Sequence, residues 1–202
     1  MKNLNNSLGI YIHIPFCRKK CGYCDFLSYE SGDIEEYFSA LKREIVFMGE
    51  FLSHRNVDTV FIGGGTPSIA DAKEITDTLS LLRDCFGVED NAEISIEINP
   101  DSLDERKLSE NVKSGINRFS LGVQSFDDEK LRLIGRVHDS SEAKSAIKLL
   151  SSRADNYNID MMMALPNQSI EDLKKDLEIL LSFYPKHISY YSLILEEGTL
   201  IS

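Results

Sequence analysis

Short apolar runs alternate with helix-spaced apolar stripes along the whole chain, and that alternation leaves few folds open. Ile10–Ile14, Val57–Ile62, Ile94–Ile98, Arg118–Val123, Asn158–Met163 and Ile188–Leu195 read as six strands. After the first, Ile34, Tyr37, Phe38, Leu41, Ile45 and Met48 fall at helical spacing behind Asp33 and Glu36, a cap signature. Ser68 and Asp71 open a second helix carrying Ile75, Leu79, Leu82 and Phe86, which Gly87 ends. Ser102 and Glu105 open a short third helix that Gly115 terminates; a fourth runs from Ser141 to Leu150, and Ser169 with Asp172 caps a fifth. Strands joined by crossover helices pair in parallel with right-handed connections, which leaves an open doubly wound sheet or a barrel. A closed eight-unit barrel needs about 250 residues. Six units in 202 residues therefore predict an α/β fold, a partial, open (β/α)6 barrel resembling part of a TIM barrel. The chain stops seven residues after the sixth strand with no sixth helix, which predicts a protein truncated at its C-terminus. No linker or repeat divides residues 1–202, so they read as one domain.

Charge narrows the partners. Against 22 Lys and Arg stand 33 Asp and Glu, a formal charge of −11, which argues against nucleic acid as a partner. Charged or turn residues interrupt every hydrophobic run before the roughly 18 residues that a membrane span requires. The first apolar run, Ile10 to Phe16, is too short for a signal-peptide core and leads into Cys and basic residues rather than a cleavage site. The expected location is the cytoplasm, where the four cysteines stay reduced.

Three of the four lie together just after the first strand. Cys17, Cys21 and Cys24 are spaced Cys-x3-Cys-x2-Cys, and thiolates so close along one loop can wrap three corners of a [4Fe-4S] cube, leaving one iron open to a small chelating ligand. A structural zinc site of three Cys with His13 or another fourth ligand is the alternative, although strand alternation points His13 away from its own loop. Arg18, Lys19 and Lys20 between the thiols read as solvated loop charges, and Cys85, on the second helix, as a buried small apolar residue.

Further candidates stand at the C-terminal ends of the strands, where functional groups of such barrels collect. Gly63-Gly64-Gly65-Thr66-Pro67 follows the second strand. Glycines there let backbone amides approach a ligand, although the stretch equally suits a tight strand-to-helix turn, and it matches neither a Rossmann fingerprint nor a phosphate loop. Glu97 is a carboxylate in an apolar strand and needs a partner such as a ribose hydroxyl pair. Gln124 ends the fourth strand, Arg136 follows in Gly135-Arg136-Val137-His138, and Asp160 lies in the fifth strand. Taken singly, Arg136 suits a surface ion pair and Asp160 a structural acid. Met161, Met162 and Met163 read as core filler.

The cysteine spacing after a first strand resembles the radical S-adenosylmethionine (SAM) superfamily. That resemblance implies a [4Fe-4S] cluster on Cys17, Cys21 and Cys24, with the amino and carboxylate groups of SAM on the open iron. From Tyr11 to Thr199 the chain is similar to the branch containing oxygen-independent coproporphyrinogen III oxidase and the heme chaperones of the HemW group. By that resemblance Tyr11, Tyr23, Gly64, Gly65, Thr66, Glu97, Gln124, Arg136 and Asp160 contact SAM. The oxidase pattern carries a further cysteine two residues after the third; here Phe26 stands in that place. That departure, the Gly135–His138 stretch and the closing Glu196-Glu197-Gly198-Thr199 resemble the chaperone group. The implied function is binding of heme as cargo and its transfer to an acceptor protein, with an electron donor for the cluster as a further partner. The alternatives are oxidative decarboxylation of coproporphyrinogen and a zinc-stabilised binding module. The chaperone group's C-terminal domain and its His-Asn motif do not occur before Ser202, and none of His13, His54, His138 or His187 reads as a heme ligand.

Overall fold

The computed structural model of the chain describes residues 7–52 and 55–201, so His54 lies outside the described residues. Strands β1 (Leu8–Ile14), β2 (Asn56–Gly64), β3 (Gly87–Ile98), β4 (Arg118–Gln124), β5 (Tyr157–Met163) and β6 (His187–Ser192) form one sheet in that order. Every neighbouring pair is parallel. The six predicted strands are thus all present, in the sequential order of a (β/α) barrel left open between β1 and β6.

The helices are α1 (Ile34–Leu52), α2 (Ala72–Cys85), α3 (Glu105–Lys113), α4 (Asp128–Leu133), α5 (Ser140–Ser151) and α6 (Ile170–Leu181). Sequence periodicity predicts five and misses α4, because six residues are too few to show an apolar stripe. Asp127 starts it by accepting from the Glu129 and Lys130 amides. Three predicted starts shift. Ser68 and Ser102 belong to 3-10 turns, Pro67–Ile69 and Pro100–Ser102; Asp71, the other residue of the predicted pair, caps α2, and Asp104 caps α3. Asp139, not Ser141, caps α5, in a capping box with Glu142. Gly87 begins β3 rather than closing α2, and β6 ends at Ser192, leaving Ile194 and Leu195 exposed beyond it.

Parallel sheets usually carry near-continuous apolar runs because helices cover both faces. These strands instead alternate. Ile12, Ile14, Val60, Ile62, Ile94, Ile96, Ile98, Phe119, Leu121, Ile159 and Met161 are buried with Phe38 and Ile45 of α1, Leu79 and Leu82 of α2, Leu108 of α3 and Ile147 and Leu150 of α5. Their neighbours along β3, β4, β5 and β6 are polar: Ser95, Glu97, Arg118, Ser120, Asn158, Asp160, His187 and Ser189 all line one cavity of about 680 Å3. Residues on four strands reach a single cavity only if the sheet curls with the polar face inward, so the alternation records a barrel with helices on its outside alone. Met161 belongs to the outer core, whereas Met162 faces the cavity side and packs with Ile134 and Leu165.

Candidate functional site

The loop after β1 carries Cys17, Cys21 and Cys24 to the mouth of this cavity. Local hydrogen bonds hold it there. The Cys17 amide donates to Tyr29 O (2.9 Å), the Tyr29 amide to Pro15 O (2.7 Å), and the Gly22 amide to Ile134 O (2.9 Å). Of the basic residues between the thiols, Arg18 and Lys20 are not merely solvated, while Lys19 is exposed. Arg18 donates to Asp101 O (2.8 Å) and pairs with its carboxylate, while Lys20 donates from Nζ to Phe26 O (3.0 Å) and from its amide to Glu30 (2.7 Å). His13 also closes the loop. Its Nε2 faces Leu27 O (2.9 Å), which can only accept, so Nε2 carries the proton and Nδ1 accepts from the Tyr11 hydroxyl (3.0 Å).

Gly65 lets the glycine-rich turn lie against the cysteine loop. Its amide donates to Ile14 O (2.8 Å) and the Thr66 amide to Phe16 O (2.7 Å), and a Cβ on Gly65 would stand 2.6 Å from Phe16 O. The Thr66 hydroxyl is then 3.6 Å from Cys17 Sγ, and Arg136 Nη1 is 3.6 Å from Cys21 Sγ. Burial, helped by the other two thiols, pushes the Cys24 thiol up. The Tyr23 hydroxyl is pushed far above its ordinary value, chiefly by burial, against the opposing charge of Arg136.

Across the cavity the predicted residues converge. Glu97 accepts from the Gly64 amide (3.2 Å), and burial, with the charge of Asp160, raises its carboxyl to about 7. Asp160 accepts from Ser120 Oγ (2.7 Å) and Asn158 Nδ2 (2.7 Å), neither of which sequence reasoning had singled out. Gln124 is buried with φ +71°, at the point where the β4–β5 register slips, and its Oε1 accepts from the Tyr191 hydroxyl (2.9 Å). An αL backbone outside glycine costs about 1–3 kcal/mol and concentrates at functional sites. Arg136 is no surface residue: its guanidinium reaches Cys21, Asn99 and Gly122 O, and its Nε is buried without a partner. Of the nine predicted SAM contacts, Tyr11 alone stands outside the cavity lining, stacked on Phe61, which does line it. Asn99, Ser120, Asn158 and Tyr191 are among the lining residues that the sequence did not mark. They lie within strands β4, β5 and β6 or just after β3, with no motif of their own.

Three thiols on one loop at one cavity mouth, with two donors aimed at their sulfurs, fit a cube that places one iron on each. A single ion fits less well. Among the described residues no three His, Cys, Asp or Glu side chains lie close enough to share one, and His13 has both ring nitrogens engaged. Cys85 is half-buried against Gly49 and the outer core, apart from the site. Among the described residues no helix is long and apolar enough to cross a membrane.

Comparison with known proteins agrees with this geometry. The heme chaperone HemW of Buchnera aphidicola from Acyrthosiphon pisum is 42% identical over 195 residues, 95% of this chain and 52% of that protein. HemW of Escherichia coli is 39% identical over 197 residues, 96% of this chain and 52% of that protein. The chain therefore spans about half the length of these curated relatives. The solved structure of coproporphyrinogen III oxidase (HemN) from Escherichia coli, described as a radical SAM enzyme, superposes with a TM-score of 0.88 at 30% identity over 94% of this chain and 45% of that one. The family model of the radical SAM superfamily matches residues 11–180, which carry the cysteine loop, the glycine-rich turn and the polar residues of β3 to β5, and the chain belongs to that superfamily.

Proposed function

We propose that this chain is the cluster- and SAM-binding portion of a HemW-like heme chaperone, which binds heme as cargo and passes it to an acceptor protein. The observation that carries the reading is the convergence of Cys17, Cys21 and Cys24 with Gly64, Gly65, Thr66, Glu97, Gln124, Arg136 and Asp160 on one cavity. Cys17, Cys21 and Cys24 hold the [4Fe-4S] cluster, which when bound supplies an iron with a free position for the amino and carboxylate groups of SAM. Gly64 and Gly65 line the cavity and seat the turn against His13 and the Phe16 backbone, which a Cβ on either would strike. Glu97 and Asp160 accept from ribose hydroxyls, and Gln124 presents its amide at the same rim. Arg136, buried beside Cys21, would offer its fixed positive charge to the carboxylate of SAM. Phe26 is 70% exposed at the cavity mouth, where it offers an apolar face to a flat macrocycle. The relatives named heme chaperones support heme as the cargo.

The structural likeness to coproporphyrinogen III oxidase favours a second reading, in which the chain belongs to a decarboxylating enzyme. Anaerobic reconstitution separates the readings. The chaperone reading expects about four irons and four sulfides per chain, a Soret band on heme titration, and no protoporphyrinogen IX after incubation with coproporphyrinogen III and SAM. Appearance of that product would establish the oxidase instead. Replacing any of the three cysteines by Ala should abolish the brown chromophore; retention of a full cluster in such a variant would refute the ligand assignment, and one zinc per chain with no sulfide would refute the cluster.

A further inference from the structure

A continuous run of hydrogen bonds joins two of the three cysteines across the cavity mouth, and its centre is Asn99. Thr66 Oγ1 donates to Cys17 Sγ (3.6 Å), and Asn99 Nδ2 donates to Thr66 Oγ1 (3.1 Å). On the other side Arg136 Nη2 donates to Asn99 Oδ1 (2.8 Å), while Arg136 Nη1 donates to Cys21 Sγ (3.6 Å). Each end of the Asn99 amide is used in the one sense its chemistry permits. The NH2 supplies a proton to the threonine oxygen, which leaves the threonine's own O–H for the sulfur. The carbonyl takes one arm of the guanidinium, which turns the other arm toward the second sulfur.

The backbone of Asn99 is held independently of this side chain. Its amide donates to Ser68 Oγ (3.3 Å), its carbonyl accepts from the Ser102 amide (3.1 Å) and Ser102 Oγ (3.0 Å), and Pro100 follows it. The neighbouring strand leaves room for the pair: a Cβ on Gly122 would stand 3.0 Å from Asn99 Oδ1 and 3.4 Å from Arg136 Nη2. The side chain is therefore placed between Thr66 and Arg136 by the fold, not by the bonds it makes there.

We infer that Asn99 is a positioning residue that aims Thr66 and Arg136 at the sulfurs of Cys17 and Cys21 and thereby sets the reduction potential of the cluster. Hydrogen bonds to cluster sulfurs stabilise the more electron-rich, reduced state and raise the potential. Aspartate at position 99 can only accept. The Thr66 O–H then turns to the carboxylate and leaves Cys17, while Arg136 keeps a partner.

The inference rests on the three thiolates holding the cluster, and the test separates the two claims. The wild-type chain, Asn99→Asp, Thr66→Val and the double variant are reconstituted anaerobically. Iron and sulfide are counted, the midpoint potential is read by redox titration of the reduced cluster's electron paramagnetic resonance signal, and the apo forms are melted. Asn99→Asp should keep its iron, sulfide and apo melting temperature and show a more negative midpoint. Thr66→Val should move the midpoint the same way, and the double variant should lie no lower than Asn99→Asp, because both remove one hydrogen bond. Loss of the cluster from Asn99→Asp with unchanged apo melting would overturn the claim about the potential. A wild-type midpoint in Asn99→Asp, additive shifts, or cluster loss together with a lowered apo melting temperature would overturn it. A wild-type chain that binds no cluster would overturn the cluster assignment as well.

Discussion

Glu97 is held where an ionised carboxyl is poorly solvated. The Gly64 amide is its hydrogen-bond donor, and a Cβ on Gly63 would stand 2.9 Å from Oε2. Burial raises its carboxyl from 4.5 in the unfolded chain to about 7, so the stability it contributes is fully present below pH 4.5 and is lost as pH rises through 7. At pH 8 the charged group costs about 3 kcal/mol, at 1.36 kcal/mol per pKa unit. Glu97→Gln, which can still accept from Gly64, should therefore melt higher than the wild-type apo chain at pH 8 and level with it at pH 4. Equal melting at pH 8 would contradict this. In sequence the same residue shows only as a charge in an apolar run, which points to a role without naming its partners. Gln124 shows less, since nothing local to Val123-Gln124-Ser125 announces a positive φ or the distant Tyr191 hydroxyl.

At the scale of elements, the site depends on two turns pressed against the cysteine loop. Gly65 packs on Phe16, and Gly135, with φ +79°, ends the short α4 and turns the chain so that Arg136 enters the cavity. A Cβ on Gly65 has no space against Phe16 O, a backbone atom that can move only with the loop. Gly65→Ala should cost about 1–3 kcal/mol of stability and reduce reconstituted iron per chain, measured by melting and by iron analysis on the same preparation; full iron content would show that the turn does not position the thiols. Strand and helix periods made the elements legible in sequence, and the cysteine spacing made the loop legible. Cap residues were legible only within a few positions, because Ser68 and Asp71, or Ser102 and Asp104, are both chemically able to cap. Helix α4 was illegible for want of length.

For the whole molecule, acid stability reports how the barrel wall is packed. His138 is buried, its Nε2 donates to Val123 O (3.1 Å), and its Nδ1 has no partner. Burial, with the charge of Arg136, lowers it from 6.5 to about 4. The folded chain refuses a proton that the unfolded chain accepts, so this contribution is present above pH 6.5 and falls away toward pH 4, by about 3 kcal/mol. Between pH 4.5 and 6.5 Glu97 acts in the opposite sense. His138→Asn keeps a donor for Val123 and removes the titration, so its melting temperature should fall less than the wild type's between pH 6.5 and 4. A parallel decline in the two proteins would refute the assignment.

The sequence by itself determined the six parallel strands, the partial barrel and the three thiols on one loop. These follow from short-range signals: apolar periods of two and 3.6 residues, turn and cap chemistry, and cysteines within one stretch of chain. Only the tertiary structure decided that Thr66, Asn99 and Arg136 link two of those sulfurs, that Ser120 holds Asp160, and that Tyr191 meets Gln124. Those partners come from different strands and turns. They meet because a parallel sheet in sequential order curls its polar face inward, and the side-chain pairs facing one another across a curved surface depend on register and closure rather than on neighbouring residues.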